Sequence, residues 1–337
     1  MSKALNDHKV LGSPHPLVVY HHGQNYLLNG CMAYLTECLR ESPEYDYWFF
    51  SGVTGDSFTQ VHYADGDRAA SSLTEDVFGP EILDRAFGAI GYGYSLVTQR
   101  EVAEDQEACL RRVIASIDRG VPVIALGFEV TDTFCVLCGY EESGAKLQCL
   151  RNDEELRSVA AESLSRTKAL VLAGEKRQAP PLADVYRRTV ASIPSFIKRA
   201  PQEDLVFGKA AFEAWAAALE SAESLLAGQS DERMEELRWR LQCGPLCIAG
   251  TNGCSRGFLE KALRFCPDLE VIPRLQPIYE EMQQLFEEIS ALQGGFWIPF
   301  PRLRDAETRC AIAAKVRRFI PCCDGILEAF GNEGRAR

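Results

Sequence analysis

Apolar positions along this chain follow one rhythm in its first half and another in its second, and the change divides the sequence. In the first half the clearest stripe is Cys109, Leu110, Val113, Ile114 and Ile117, which predicts a helix over Asp105 to Asp118, with Gly120 as its left-handed stop. Short β-rich runs surround it. Val121 to Leu126 reads as a buried strand with Pro122 near its start, where a proline is tolerated. Thr133 to Tyr140 and Ala145 to Leu150 read as a hairpin turned at Glu142-Ser143-Gly144. Leu17 to Tyr20, Tyr92 to Thr98 and Lys168 to Ala173 are further strands, and Glu81 to Phe87 is a short helix. The first half is therefore expected to be α+β, a helix layer followed by a mostly antiparallel sheet.

The stretch from Glu175 to Leu182, polar and carrying Pro180-Pro181, has the composition of a domain linker. After it the period is helical. Phe212, Trp215 and Leu219 share one face of a helix over roughly 208 to 222. Ile278, Met282, Leu285, Phe286, Ile289 and Leu292 form a long stripe. Ile312, Val316, Phe319 and Ile320 form another, capped by Asp305. Two domains follow from this, an α+β domain over 1–175 and an all-helical domain over 183–337.

Composition narrows the class. A chain of 337 residues is long enough for two domains, and no apolar run reaches the ~18 residues a membrane-spanning helix requires. The net charge of −12 argues against non-specific binding to nucleic acid or to an anionic membrane. Between Met1 and His22 the only apolar cluster is Leu17-Val18-Val19, so no signal peptide and a cytoplasmic location are expected. Thirteen cysteines, an odd number in a large chain, then read as reduced thiols.

No metal or cofactor is expected. Cys135 and Cys138 have zinc-knuckle spacing, but they fall on a predicted strand, where residues three apart point to opposite faces. Cys243, Cys247 and Cys254 lack a following histidine or cysteine pair at ligand spacing, and Cys322-Cys323 are adjacent.

Candidate chemistry gathers at Gln24 to Leu35. Asn29 is a good N-cap residue, and Cys31, Leu35, Cys38 and Leu39 recur at helical spacing up to about Glu41, because Pro43 disfavours helix before it. A cysteine in the first helical turn meets free amides and the positive end of the dipole, both of which favour a thiolate nucleophile. Gln24, seven residues upstream, has an amide N–H able to face an oxyanion. Tyr45 to Phe50 is an aromatic cluster running into Ser51 to Phe58, either a hydrophobic helix ending in a loop or a pocket wall in which Tyr47, Trp48 and Asp56 meet a substrate.

Cys31 and Gln24 on a loop-to-helix element, followed by a late antiparallel sheet, resemble the papain-like fold. They are similar in particular to the cysteine peptidases that remove double-glycine leaders and, over most of the chain, to the group related to butirosin biosynthesis protein H. The matching residues are Gly30-Cys31, Phe50 to Phe58, Val136 to Tyr140 and Gly208 to Trp215. The resemblance implies a papain-like domain and a helical C-terminal domain. It also implies cysteine-centred acyl transfer or amide hydrolysis on a small molecule or peptide, with an acyl carrier protein as a candidate partner.

Those families place a histidine at the start of the strand before the glycine-tyrosine turn, where this chain has Thr133-Phe134-Cys135. All five histidines, His8, His15, His21, His22 and His62, come earlier. Three sources of activation stay open: His62 oriented by Asp56, His21 or His22 from the upstream loop, and Cys31 acting without a base. The alternative is a papain-like binding protein without catalysis.

Overall fold

The computed structural model describes residues 7–65, 68–70, 72–128, 133–152, 156–253 and 255–331. In chain order its elements begin with β1 (His8–Val10), α1 (Leu27–Cys38), α2 (Tyr47–Thr54), β2 (Val61–Tyr63), α3 (Leu73–Asp76) and α4 (Pro80–Ile90). Next come β3 (Tyr92–Thr98), α5 (Gln99–Glu104), α6 (Gln106–Asp118), β4 (Val123–Leu126), β5 (Phe134–Glu141), β6 (Lys146–Leu150), β7 (Arg157–Ala160) and β8 (Ala169–Lys176). The second half holds α7 (Leu182–Ile197), β9 (Leu205–Phe207), α8 (Lys209–Ser221), α9 (Glu223–Leu226), α10 (Asp231–Arg238), α11 (Gly244–Gly253), α12 (Arg256–Phe265), α13 (Ile272–Gln293), α14 (Phe300–Arg304), α15 (Ala306–Val316) and α16 (Phe319–Gly331). A π-helical turn, Trp239–Cys243, joins α10 to α11.

Two compact units result. The first comprises the described residues of Met1–Thr54 and Gly79–Pro180, and the second those of Gly55–Phe78 and Pro181–Arg337. The division differs from 1–175 and 183–337 in one respect: the segment Gly55–Phe78 packs with the C-terminal half.

The first unit is α+β. Its antiparallel sheet has the order β3-β8-β4-β5-β6-β7, and β1 pairs with the far half of β5 in the register Val10↔Gly139. Helices α1 and α6 both pack on β4 and β5. The strand pattern is buried because the sheet is covered: Val123, Ile124, Ala125, Val136, Leu137, Leu170 and Val171 are all core residues. The hairpin turns where its sequence proposed, with Glu142, Ser143 and Gly144 all in the left-handed region. Helix α6 is capped by Asp105, whose carboxylate accepts from the Ala108 amide at 2.8 Å. Leu17 to Tyr20 is not a strand. Leu17 and Val18 are buried without ladder partners, and Tyr20–His22 is a single 3-10 turn closed by Gly23 in the left-handed conformation.

The second unit is helical around an aromatic core, with one exception to the all-helical expectation. Strand β9 pairs antiparallel with β2 in the register His62↔Val206. Phe58, carried by the crossing segment, meets Phe196, Phe258 and Tyr279 at centroid distances of 6.2, 5.7 and 5.9 Å. Gly55 at φ +96° allows the chain to enter here, since a Cβ would stand 2.8 Å from the Phe196 ring. The stripe from Ile312 to Ile320 is two helices, α15 and α16, interrupted at Arg317 and Arg318. Asp305 caps the first, its carboxylate accepting from the Thr308 amide at 2.8 Å.

Candidate functional site

Helix α1 starts at Leu27, three residues earlier than an Asn29 cap would place it. The reason lies on another helix. The Tyr47 hydroxyl of α2 accepts from the backbone amides of Asn25 and Tyr26 at 3.0 and 3.1 Å, holding the chain just before the first turn. Asn29 is then inside the helix, fully buried, and its side-chain carbonyl accepts from the Thr54 hydroxyl at 3.1 Å. It ties α1 to the end of α2, and the N-cap position falls to Tyr26.

Cys31 is consequently the fifth residue of α1, beyond the four amides that an N-terminus leaves open. Its side chain is fully buried. Gly30 beside it is set by packing. A Cβ there would lie 2.0 Å from the carbonyl oxygen of Leu17, so the apolar Leu17-Val18 run presses directly on this turn. Gln24 is half-buried, and its Oε1 accepts from the Val19 amide at 2.9 Å, which closes its own loop.

One turn further along α1, the Tyr34 hydroxyl donates to the Leu11 carbonyl at 2.6 Å and is also hydrogen-bonded to the thiols of Cys38 and Cys138. Burial pushes the Cys38 thiol up to about 11 and the Cys138 thiol up to about 12. These thiols are packing groups, protonated at neutral pH.

Of the residues singled out from the sequence, the first unit holds Gln24, Cys31, Tyr47 and Trp48, whereas Asp56 and His62 belong to the second. Tyr47 is buried and its hydroxyl is occupied by the loop amides, so it positions α1. Trp48 is half-buried, its ring edge-on to Tyr47 at 5.3 Å. The Asp56 carboxylate, fully buried, accepts from the Thr74 amide at 3.1 Å. His62 is 3 % exposed on β2, and its Nδ1 donates to the Tyr63 carbonyl at 2.7 Å. Burial holds the His62 imidazole below its ordinary value.

Tyr20 and Asn152 meet through a contact that no sequence pattern marks. Tyr20 is 51 % exposed on the loop before α1. Its hydroxyl accepts from Asn152 Nδ2 at 2.6 Å, a contact between residues 132 positions apart that no local pattern signals. Tyr20 and Gln24 lie in the loop before α1, Asn152 is hydrogen-bonded to Tyr20, and Trp48 stands beside Tyr47. Of the other histidines, His15 bridges Pro16 O and Glu37 at 2.9 Å each, His8 and His22 are exposed, and the His21 side chain is outside the described residues.

The twelve described cysteines are thiols, and Cys254 is outside the described residues. Among the described residues no group of three or more His, Cys, Asp or Glu side chains is arranged to hold a metal ion. No described helix is long and apolar enough to cross a membrane. The chain matches no protein-family model and no curated protein sequence.

Proposed function

We propose that the first unit is a papain-like scaffold that binds a small molecule or peptide at the approach to α1 without using Cys31 as a nucleophile. The observation carrying this reading is the burial of Cys31 as the fifth residue of its helix. A thiolate there would lose its hydration without gaining the open amides that lower a cysteine pKa at a helix start. The sequence also has no histidine after residue 62, where the resemblance to the butirosin biosynthesis protein H group would put the base.

The ligand class follows from that resemblance and from charge. A net charge of −12 attracts an amine-rich molecule and repels a polyanion, so an aminoglycoside or a basic peptide fits better than a nucleotide. Tyr20 and Trp48 would offer ring faces and edges, and Gln24 and Asn152 amide groups.

Thermal unfolding in the presence of an aminoglycoside, and separately of a double-glycine-ended peptide, tests this reading. One of the two should raise the midpoint in a concentration-dependent manner, since a ligand of the native state stabilises by RT ln(1 + [L]/Kd). The shift should be lost in Tyr20→Ala and Trp48→Ala, with each free variant still folded. Incubation with an acyl-pantetheine thioester should leave the mass of Cys31 peptides unchanged. Transfer of the acyl group to Cys31 would overturn the proposal in favour of acyl transfer.

A further inference from the structure

The segment that joins the second unit from the first half is rich in buried polar side chains: Asp56, Ser57, Thr59, Gln60, His62, Ser72 and Thr74. Several are matched locally. Gln60 Nε2 donates to the Pro245 carbonyl at 3.1 Å, Ser255 donates to the Ser57 carbonyl, and Thr59 donates to the Gly55 carbonyl at 3.0 Å. Of these seven, His62 is the one whose charge ordinarily changes near neutral pH.

His62 sits at the centre of the β2–β9 ribbon. The ladder runs Val61↔Phe207, His62↔Val206 and Tyr63↔Leu205. It is extended by Gly208 N to Gln60 O at 2.9 Å and by Ala64 N to Asp204 O at 2.8 Å. Two strands of three residues are marginal by themselves, so the ribbon depends on what packs around it. Arg240 of the π-helical turn is only 6 % exposed; its charge disfavours the His62 imidazolium, and Asp65 favours it. Arg240 and Asp65 also have interactions of their own, and the neighbouring charged groups are engaged as follows. Arg68 lies over the Tyr63 ring and pairs with Asp204 at 2.8 Å, Asp76 accepts from Tyr63, and Glu203 acts on Tyr63. Arg199 lies over Phe207, Lys209 of α8 pairs with Asp324, and Glu213 of α8 is exposed. Helix α11, which also packs on β2, carries no charged residue.

We propose that the β2–β9 ribbon is a pH-operated clasp, closed by neutral His62 and opened when a buried imidazolium has to share its surroundings with Arg240. Opening frees β2 from β9 and, with it, the hold of the C-terminal half on the segment Gly55–Phe78. Burial disfavours the imidazolium most; the Tyr63 carbonyl and Asp65 oppose it, and Arg240 acts in the same direction as burial. In the open ribbon His62 returns to an ordinary value near ~6.5, so the open form binds more protons. Closure is therefore fully stabilised above that pH and is lost as pH falls through it.

Hydrogen exchange of the full chain at pH 7.5 and 5.5, corrected for intrinsic exchange rates, reads the clasp directly. Protection at residues 61–63 and 205–207 should fall several-fold on acidification, because the open ribbon takes up a proton that burial disfavours in the closed one. Helix α13 of the same unit should keep its protection. His62→Asn, which retains an amide donor where Nδ1 lies but cannot take up a proton, should abolish the change. Arg240→Met should move the opening to lower pH. Unchanged ribbon protection overturns the proposal, as does loss shared equally by α13, which would be acid unfolding of the whole unit. An undiminished pH response in His62→Asn overturns it as well. If that variant does not fold, the wild-type comparison with α13 and the Arg240→Met displacement decide.

Discussion

The turn around Cys31 is built by contacts that a nucleophile-bearing helix start would not need. Gly30 lets the Leu17 carbonyl approach to where a Cβ would stand, 2.0 Å away. Gly30→Ala should therefore cost about 3 kcal/mol, at the upper end of what overpacking a core costs, because the obstructing atom is backbone. Urea unfolding measures this; a cost near zero would mean that the Leu17 strap moves freely. Cys38 gives a second prediction at this scale. It is half-buried, and burial raises its thiol to about 11, with the Tyr34 hydrogen bond pulling back only in part. Its alkylation rate should be low at pH 7.5 and climb roughly tenfold per pH unit up to about pH 10, because the thiolate is the reacting form. A rate that levels off by about pH 9.5 would show an ordinary, unburied thiol.

Among the elements, α8 and α14 end on a single buried side chain. Arg309, 1 % exposed, donates from Nε to Leu219 O at 3.0 Å and from Nη1 to Leu303 O at 2.9 Å and Arg304 O at 2.7 Å, with Nη2 on Glu223 at 2.5 Å. Arg309→Met should cost about 3 kcal/mol, since three carbonyls of helix ends lose their donor together. Glu223→Gln should cost much less, because that carboxylate is mostly exposed. Equal costs would assign the effect to the ion pair. Elements whose partners are sequence neighbours were legible in the sequence. Strand β3 occupies Tyr92–Thr98 as its pattern indicates, α6 starts after its Asp105 cap, and the β5–β6 hairpin turns at Glu142 to Gly144. Elements decided by distant partners were not. The start of α1 is set by Tyr47, some twenty residues away, and β9 exists because β2 lies beside it, more than 140 positions earlier. Leu17-Val18-Val19 has strand composition, but it is consumed as a strap over Gly30. The break between α15 and α16 falls at two arginines that a periodic stripe passes over.

At the scale of the molecule, the crossing segment Gly55–Phe78 makes the C-terminal half dependent on the first half for its core. Without Phe58 the rings of Phe196, Phe258 and Tyr279 lose their shared neighbour, and β9 loses its strand. A chain of residues 181–337 should melt without a cooperative transition, and one carrying residues 55–78 fused ahead of it should regain one. Cooperative melting of the shorter chain at the same midpoint would contradict this arrangement. The same scale explains why the site was only partly legible: Gln24, Cys31, Tyr47 and Trp48 belong to one unit, while Asp56 and His62, close to them in sequence, belong to the other. Binding without a nucleophile requires that the native fold keep Cys31 from reacting as a thiol. Iodoacetamide labelling of the native protein, mapped by peptide mass spectrometry between pH 6.5 and 7.5, measures that directly. Exposed Cys310 should be labelled while buried Cys31 stays unmodified until the protein is unfolded. Labelling of Cys31 ahead of Cys310 at pH 6.5 would contradict it and make Cys31 a nucleophile.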